Sequence, residues 1–321
     1  MHQQINPIRL IVFPGAFNWP IWVAQELNFF IRHGVDVEIC DTPGSEFQLS
    51  QLIQGNADLA ITLSDNVIAY REGQGEAPIV GSDLVALMAS DTRVLPALVT
   101  ASDIKSYQDL KGKVLAVDAY KTGYTNLLLA MLESGGLSPG DYEIVSAGGV
   151  QQRFNALLDG KYAGALFNSP FESLLVEKGF TLMDTAARVF SRYQGQVLAA
   201  RQSWANSNKE RVIGFIKSFL IALAWLYDEA NREHAYKIFR DRQPHAGPQA
   251  AATAFQVLFN QERGFPLDGK IDLEAFNLVV ELRSRFGIPK KNLGMANEYV
   301  DSSFLEEALL SPSILGGHKN F

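Results

Sequence analysis

The first third of the chain alternates short apolar runs with longer amphipathic segments. Residues 8–13, IRLIVF, predict a buried strand, and residues 21–34 repeat apolar positions every three to four residues, which predicts a helix that ends at Gly34. Two further short runs, VDVEIC and ADLAIT, follow this helix, with another helical segment between them. Alternation of this kind predicts a parallel sheet with helices on its faces.

The alternation stops and then resumes in a second unit. Two apolar runs, at residues 77–90 and 94–102, have no long helix between them. From about residue 98 to 195, strand and helix patterns alternate again, and after an extended run at 196–205 the chain is mostly helical. The pattern therefore predicts an α/β protein with two α/β units and a helical C-terminal region.

Composition is that of an ordinary globular protein. The chain has 321 residues, of which 47% are hydrophobic and 20% charged, enough to build a buried core. The formal net charge is −7 and the longest basic run is Lys290-Lys291, so nucleic acid is excluded as the main partner. No uninterrupted apolar stretch reaches the length of about 18 residues that predicts a membrane helix. The N-terminus lacks a signal-peptide pattern, which leaves open a cytoplasmic protein or one whose leader has been removed.

Few residues indicate catalytic or metal chemistry. Cys40 is the single cysteine, and its place at the end of an apolar strand favours a small buried residue over a catalytic thiol. The five histidines are scattered, and no spacing of His and Cys predicts a metal site. The P-loop spacing is absent, so nucleotide hydrolysis is not supported. We expect no cofactor, no metal and no catalytic residue.

Four stretches together resemble one known family. They are FNWPIWVAQELNFFIRHGVDVEI, GSEFQLSQLIQGNADLAI, IKSYQDLKGKVLAVDAYKTGYTNLLLAMLESGGLSPGDYEIV and RFNALLDGKYAGALFNSPFE. In order and spacing they are similar to the periplasmic solute-binding proteins of ABC transporters of the sulfonate, nitrate and thiamine-precursor type, the SsuA/THI5-like proteins. The resemblance spans about residues 8 to 205.

The resemblance implies a two-lobed periplasmic-binding-protein type II fold, in which each lobe is a mainly parallel sheet flanked by helices. Lobe one would comprise residues 1–97 and 196–321, including the C-terminal helices, and lobe two residues 98–195. Such proteins close around a small molecule by hinge motion and deliver it to the membrane permease of an ABC importer. The resemblance also implies a periplasmic location. Burial against lobe one explains the wide apolar face of residues 215–230 as well as a dimer would, and we expect a monomer.

The geometry of α/β sheets indicates where a ligand would bind. Ligands lie beyond the carboxyl ends of parallel strands, where helix N-termini offer unpaired N–H groups and a partial positive charge. Five strand-to-helix junctions and the segment before the return strand meet this description. The candidate ligand-binding residues there are Phe17, Asn18, Trp19, Ser45, Glu46, Ser64, Asp65, Asn66, Tyr120, Lys121, Thr122, Gly123, Tyr124, Asn168, Ser169, Arg192 and Tyr193.

Several candidates also have a purely structural interpretation. The rings of Phe17 and Trp19 can stack on a flat ligand or pack over the edge of the sheet. Ser45 is more often a helix N-cap than a ligand contact, and Thr122 or Thr125 can cap the helix that follows the junction after the next unit's first strand. Lys121 is more often solvated than bound to a ligand.

The charges of the candidates are mixed. Lobe two supplies Lys121 and Arg192, whereas lobe one supplies Glu46 and Asp65. Because a carboxylate at a helix N-terminus repels an anion placed there, a simple ion such as nitrate or sulfate is disfavoured. We expect a small organic ligand that is aromatic or heterocyclic, or that carries a sulfonate or carboxylate. Lys121 can instead pair with Glu46 or Asp65 in the closed form.

The competing interpretation is an enzyme on the same fold. Relatives of this architecture include a pyrimidine synthase, whose cysteine-rich run is absent here, and an aromatic desulfinase, which needs a nucleophilic Cys helped by His and Arg. Cys40 can border the cleft, but no His flanks it. We therefore favour a binding protein that performs no chemistry. A third possibility is a cytoplasmic sensor, or a ligand-binding pair of lobes cut from a larger protein.

Overall fold

The computed structural model describes residues 6–90, 96–168, 171–190, 192–247, 249–260 and 264–310. The strands follow the predicted alternation. Within the described segments they are β1 (Ile8–Val12), β2 (Val37–Asp41), β3 (Leu59–Leu63), β4 (Leu84–Ala89), β5 (Ala97–Thr100), β6 (Val114–Val117), β7 (Glu143–Ser146), β8 (Gly164–Phe167), β9 (Thr181–Thr185) and β10 (Gln196–Arg201).

Helices lie between most of these strands and make up the C-terminal third of the described chain. They are α1 (Trp19–Glu26), α2 (Phe29–Arg32), α3 (Ser45–Gln54), α4 (Ser64–Arg71), α5 (Gly123–Ser134), α6 (Val150–Leu158), α7 (Phe171–Glu177), α8 (Ala186–Val189), α9 (Gln202–Ser207), α10 (Lys209–Tyr227), α11 (Arg232–Arg242), α12 (Ala250–Leu258), α13 (Leu273–Phe286) and α14 (Ser303–Leu309).

The strands form two five-stranded mixed sheets of matching design. Sheet one has the order β2-β1-β3-β10-β4, and sheet two has the order β7-β6-β8-β5-β9. In sheet one, β10 is antiparallel to both of its neighbours, and in sheet two β5 is antiparallel to both of its neighbours. The other four strands of each sheet run in one direction. Each sheet is therefore mainly parallel, with one reversed strand inserted directly after the chain has crossed from the other sheet.

The sequence of the central strands explains why both faces of sheet one are covered. All six residues of β4, LVALMA, are buried, and β1 is buried at four of its five positions. Strands that are apolar on both faces are typical of parallel sheets with helices on each side. On one side of sheet one, α1 packs against α10 and α11.

An aromatic cluster fills the space between α1 and the C-terminal helices. Trp19 is fully buried, and its ring centroid lies 4.7 Å from that of Phe239, 5.6 Å from Phe255 and 5.5 Å from Phe259. Offset and edge-on aromatic contacts at these distances are favourable, by about 0.5–1.5 kcal/mol per pair. The core of the first unit is thus closed by residues more than 200 positions away in the chain.

Helix α13 packs against both α/β units rather than against one. It contacts α4, which follows sheet one, and α5, which follows sheet two. Asp272 is the N-cap residue of α13. Its side chain accepts hydrogen bonds from the amides of Glu274 and Ala275, each at 3.1 Å. The C-terminal helices therefore do not complete lobe one alone, and the division at residues 97 and 196 stays a prediction.

Candidate functional site

The carboxyl edges of the two sheets face each other. The main-chain amide of Lys121, at the end of sheet two, donates a hydrogen bond of 3.0 Å to the Glu76 carboxylate, which follows α4 of the first unit. A side-chain carbon built on Gly123 would lie 2.7 Å from Cβ of Asp65. Gly123 is therefore required by this close approach, since a larger residue would push the two units apart. The facing edges bring the junction after β3 and the junction after β6 into contact.

A buried ion pair ties the two edges to α13. Nε of Arg283 donates to Asp65 Oδ1 at 2.9 Å, and a second guanidinium nitrogen binds Asp65 Oδ2. The same guanidinium donates two bonds of 3.1 Å to the main-chain carbonyl of Lys121. The side chains of Arg283 and Asp65 are 0% and 1% exposed. Three elements of the fold thus meet at one fully buried guanidinium.

This ion pair changes the predicted role of Asp65, which the sequence analysis treated as an acidic group facing the ligand. The sequence suggested that the Lys121 ammonium pairs with Glu46 or Asp65, but the partner of Asp65 is Arg283. Lys121 contributes its main-chain amide and carbonyl instead. Glu46 is exposed in the first turn of α3. The Asp65 carboxylate is therefore already compensated and does not repel an anion as an isolated charge would.

In the aromatic loop after β1, the structure buries the side chains of both Asn18 and Trp19. The Trp19 ring is enclosed by the aromatic cluster and has no free face for a ligand. The prediction that Trp19 stacks on a ligand is therefore wrong, and its ring packs in the core instead. Phe17 is half-buried and folds back over Gly15. The Asn18 amide nitrogen donates to the Phe13 carbonyl at 2.7 Å, and its amide oxygen is buried without a hydrogen-bond partner.

The junctions after β2 and β3 are mostly occupied by internal bonds. Ser45 is not the N-cap of α3, because Gly44 holds that position. Ser64 is fully buried and donates to the Gln194 carbonyl at 2.6 Å. The Asn66 side chain is buried and donates to Thr62 Oγ1 at 2.8 Å, so its amide nitrogen is engaged within the same turn.

Two further polar residues reach this edge of sheet one and were missed by the sequence analysis. The Gln48 amide nitrogen donates to the carbonyls of Ile11 and Ile61 at 3.2 and 2.9 Å, while its oxygen is buried and unpaired. The Ser90 hydroxyl, directly after β4, is also buried without a partner. A polar residue on an otherwise apolar helix face was the available signal for Gln48.

In sheet two, the predicted junction after β6 caps helix α5 and adjoins Asn168. Thr122, one of the two residues predicted to cap this helix, is the N-cap of α5 and accepts a hydrogen bond of 3.3 Å from the amide of Thr125. Its hydroxyl lies 2.7 Å from Asp118 Oδ1, to which it donates. The Asn168 amide nitrogen donates to the half-buried Tyr124 hydroxyl at 2.8 Å, and its oxygen is unpaired.

The remaining candidates lie apart from this group. Tyr120 is 54% exposed. Arg192 is exposed and pairs with Glu274 and, at 3.7 Å, with Asp272 at the start of α13, so its charge is used there. Tyr193 is buried in the core that surrounds α13. Ser169 lies outside the described residues.

Cys40 lies on the edge strand β2 and is exposed, contrary to the predicted burial. Partial desolvation, followed by the charges of Glu38 and Asp41, raises the pKa of its thiol above the ordinary value. A raised pKa reduces the thiolate fraction, which is the opposite of what activates a nucleophilic cysteine. In the described segments, no group of three His, Cys or carboxylate side chains is placed to hold a metal ion. No helix of these segments is both long and apolar enough to cross a membrane.

Two mixed sheets joined by crossing strands, with their carboxyl edges facing each other, define the type II periplasmic-binding-protein class, as the resemblance implied. The NMT1/THI5-like family model matches residues 18–232, about two thirds of the chain. The chain belongs to the NMT1/THI5-like family.

Comparisons with individual proteins agree with this class. The chain is 22% identical over 302 residues to YtlA of Bacillus subtilis (strain 168), a protein named as a binding protein, covering 91% of this chain and 86% of that one. Its fold is similar to that of the periplasmic nitrate-binding protein NrtA from Synechocystis PCC 6803, with a TM-score of 0.75, 14% identity and coverage of 95% and 88%. It is also similar to the periplasmic aliphatic sulphonate binding protein SsuA from Escherichia coli, with a TM-score of 0.70, 17% identity and coverage of 92% and 93%.

An enzyme shares the same fold at lower similarity. The desulfurization enzyme DszB matches with a TM-score of 0.61 and 13% identity, covering 94% of this chain and 98% of that one. At such identities these matches establish the fold and nothing about the ligand, because one fold serves many functions. The solute-binding class is supported by the family and by the names of the relatives.

Proposed function

We propose that this protein binds a small organic molecule in the cleft between two lobes and delivers it to the membrane permease of an ABC importer, by hinge closure and without chemistry. In this proposal lobe one is residues 1–97 and 196–321, and lobe two is residues 98–195. The family and the names of the relatives support a solute-binding role. They also support a periplasmic location and a transporter as the partner. We propose in addition that the protein is a monomer.

Unpaired polar atoms at the facing edges carry the proposal. The amide oxygens of Asn18 and Gln48 are buried without partners, and their orientation is fixed because each amide nitrogen donates to main-chain carbonyls. On the opposite edge, the Asn168 amide oxygen is unpaired as well. A buried acceptor without a partner costs about 1–3 kcal/mol. A ligand that donates hydrogen bonds would recover part of that free energy on binding.

The same atoms favour an organic ligand over a simple inorganic anion. Amide oxygens are acceptors, and nitrate or sulfate offers them no hydrogen to share. An aromatic or heterocyclic molecule, or a sulfonate or carboxylate with additional N–H or O–H groups, satisfies them. Tyr120, which is 54% exposed, offers ring surface to such a molecule.

Isothermal titration calorimetry with sulfonates, pyrimidines, aromatic carboxylates and nitrate tests the proposal. We expect one organic class to bind with a stoichiometry of one, and Asn18→Ala to weaken that binding while the exposed Asn155→Ala does not. Tight binding of nitrate with no organic ligand would contradict it. Uptake of the bound compound into cells, lost on deletion of the gene and restored by the intact protein, tests delivery to a permease.

An enzyme remains the second candidate because DszB shares the fold. Cys40 is the single thiol available to a desulfinase-like reaction, and its pKa is raised by partial desolvation rather than lowered. We expect native mass spectrometry to return the bound ligand unchanged and Cys40→Ala to leave binding intact. A product that forms with the intact protein and disappears in Cys40→Ala would overturn the binding assignment.

A further inference from the structure

Arg153 is a buried cation at the cleft edge of sheet two that the sequence analysis did not single out. It lies in the first turns of α6, which begins after Gly148 and Gly149 at the end of β7. Only 5% of the residue is exposed. One guanidinium nitrogen donates a hydrogen bond of 2.7 Å to the Gly148 carbonyl. A guanidinium has five N–H donors, so this single carbonyl leaves most of its capacity unused.

No carboxylate of the described residues forms an ion pair with Arg153. Burial lowers the pKa of Arg153, and the nearby Asp118 and Tyr124 oppose that shift only partly. No Asp118 oxygen is within ion-pair distance of the guanidinium. The Asp118 carboxylate is held instead by the Thr122 hydroxyl at 2.7 Å. Burying a cation without a compensating charge is costly, and native proteins pair such groups with an anion. The arrangement therefore lacks the anion that would complete it.

Arg153 and the junction after β6 line the same small cavity. The cavity has a volume of about 10 Å³ and is lined by Arg153, Asp118, Tyr124, Leu128 and Leu166. This space holds about one water molecule, which is also the size of one oxygen atom of an acidic group. Asp118 and Tyr124 belong to the junction after β6, so the cavity lies at the edge that faces the first unit.

We propose that Arg153 binds the acidic oxygen group of the ligand, and that the ligand is a small amphoteric molecule that pairs a carboxylate or sulfonate with an N–H donor. The inference rests on the proposed ligand-binding function of the cleft. The acidic group of the ligand would accept hydrogen bonds from the Arg153 guanidinium on lobe two. The donor suits Asp118 beside it and the unpaired amide oxygens of Asn18 and Gln48 across the cleft.

Inorganic sulfate tests the anion site without knowledge of the natural ligand. Thermal unfolding is compared in sodium sulfate and in sodium chloride of equal ionic strength for the wild type, Arg153→Gln, Arg153→Lys and the exposed control Arg240→Gln. Sulfate stabilises most proteins by exclusion, so the difference between variants is the readout. We expect the wild type and Arg240→Gln to gain about 2–4 °C more than Arg153→Gln, and Arg153→Lys to keep part of that gain.

Three matched compounds test the amphoteric character of the ligand. Calorimetry with aminopropanesulfonate, propanesulfonate and propylamine separates the acidic group from the donor. We expect aminopropanesulfonate to bind the wild type most tightly, propanesulfonate more weakly and propylamine not at all. Loss of a charge-assisted contact corresponds to about a tenfold weaker affinity of Arg153→Gln for the two sulfonates.

The outcomes separate this inference from the proposed function. An equal sulfate gain in Arg153→Gln and wild type overturns the anion site. Sulfonate affinity that is unchanged in Arg153→Gln overturns the role of Arg153 while leaving ligand binding in place. A sulfate effect confined to Arg153, with no binding of any organic compound, supports the anion site and overturns both the amphoteric ligand and the proposed organic solute. Propylamine that binds as tightly as aminopropanesulfonate overturns the acidic group.

Discussion

Two buried arginines, Arg283 of α13 and Arg153 of α6, differ in whether a carboxylate of the described chain binds their guanidinium group. Arg283 is enclosed by the Asp65 carboxylate and the Lys121 carbonyl, so its charge and several of its donors are satisfied by the protein. Arg153 is nearly as buried but has a single main-chain carbonyl and no carboxylate in ion-pair contact within the described chain. Both arginines are buried, but only Arg283 has a carboxylate of the described chain bound to its guanidinium.

The difference separates a structural charge from an available one. The guanidinium of Arg283 fixes α13 between α4 and α5, and its bonds are complete before any ligand arrives. A ligand that sought to bind it would have to break an internal ion pair. Arg153 offers unused donors at the cleft edge, and burial strengthens their attraction for an anion because water does not screen it. Mutation of the two regions should therefore give different effects on stability.

The largest expected effect is the loss of Asp65. In Asp65→Ala the Arg283 charge stays buried without its carboxylate, and we expect the free energy of unfolding to fall by about 3–5 kcal/mol. Urea unfolding measures this change. The matched control is Arg285→Ala, two residues further along α13, whose pair with Glu133 is about half-exposed. A surface pair of that kind contributes about 0–1 kcal/mol.

A double variant then distinguishes the ion pair from simple packing. Asp65→Leu with Arg283→Met removes both charges and keeps most of the volume, so it should recover much of the loss. If the double variant is as unstable as Asp65→Ala, the contribution comes from the bond to Lys121 and from packing, and the comparison with Arg153 weakens.

A second effect comes from Asp184, a buried carboxylate of sheet two whose two oxygens both accept hydrogen bonds. Arg188 binds both of its oxygens at 2.6 Å, and the Tyr107 hydroxyl donates at 2.6 Å. Burial by itself would raise the pKa of Asp184, but the bonds from Arg188, Tyr107 and the Thr185 amide outweigh burial and lower it. We expect Asp184→Asn to lower the free energy of unfolding at pH 7 by about 1–3 kcal/mol.

The pH dependence of this effect has a definite sign. Because the pKa of Asp184 is depressed in the folded protein, its contribution is present above the unfolded value of about 3.9 and is lost as the pH falls through the folded value. The gap between wild type and Asp184→Asn should therefore shrink from pH 7 to pH 3 in urea unfolding. A gap of constant size would show that the carboxylate charge is not what stabilises this site.

The close approach of the two units gives the third effect. Ala at position 123 would place a carbon 2.7 Å from Asp65 Cβ, so Gly123→Ala should destabilise the protein by about 1–3 kcal/mol. Gly44, the N-cap of α3, has extended backbone and nothing within 4 Å of an added carbon, which makes Gly44→Ala the control. Equal stability of the two variants in thermal unfolding would mean that the units separate freely at this point.

The sequence predicted the architecture because the strands and helices are set by local patterns. The apolar runs at β1, β2 and β3 required no knowledge of distant residues, and the structure confirms them. The predicted N-cap at Thr122 or Thr125 is also a local pattern, and the structure assigns it to Thr122. Trp19 could not be judged this way. Its neighbours, Phe239 and Phe255, are more than 200 residues distant, and only the fold brings them around its ring.

The two arginines were missed although the sequence held a signal for both. Arg283 lies on the same helical face as Phe276, Val279 and Val280, and all four positions follow the apolar spacing of a helix. Arg153 follows the same spacing with the buried Ala156 and Leu157, three and four residues further along α6. A charge on an apolar helix face indicates a buried charge, but the sequence does not show whether the partner is a residue or a ligand.

The smallest expected effect is the most direct comparison of the two regions. Arg283→Met leaves Asp65 buried and uncompensated and should cost about 3–5 kcal/mol. Arg153→Met removes a charge that has no internal carboxylate and leaves Asp118 bound to the Thr122 hydroxyl, so the free energy of unfolding should change by less than about 1 kcal/mol. Both are measured by urea unfolding in chloride buffer without sulfate or phosphate. A loss in Arg153→Met as large as that in Arg283→Met would mean that the partner of Arg153 lies within the protein, and that this arginine too is structural.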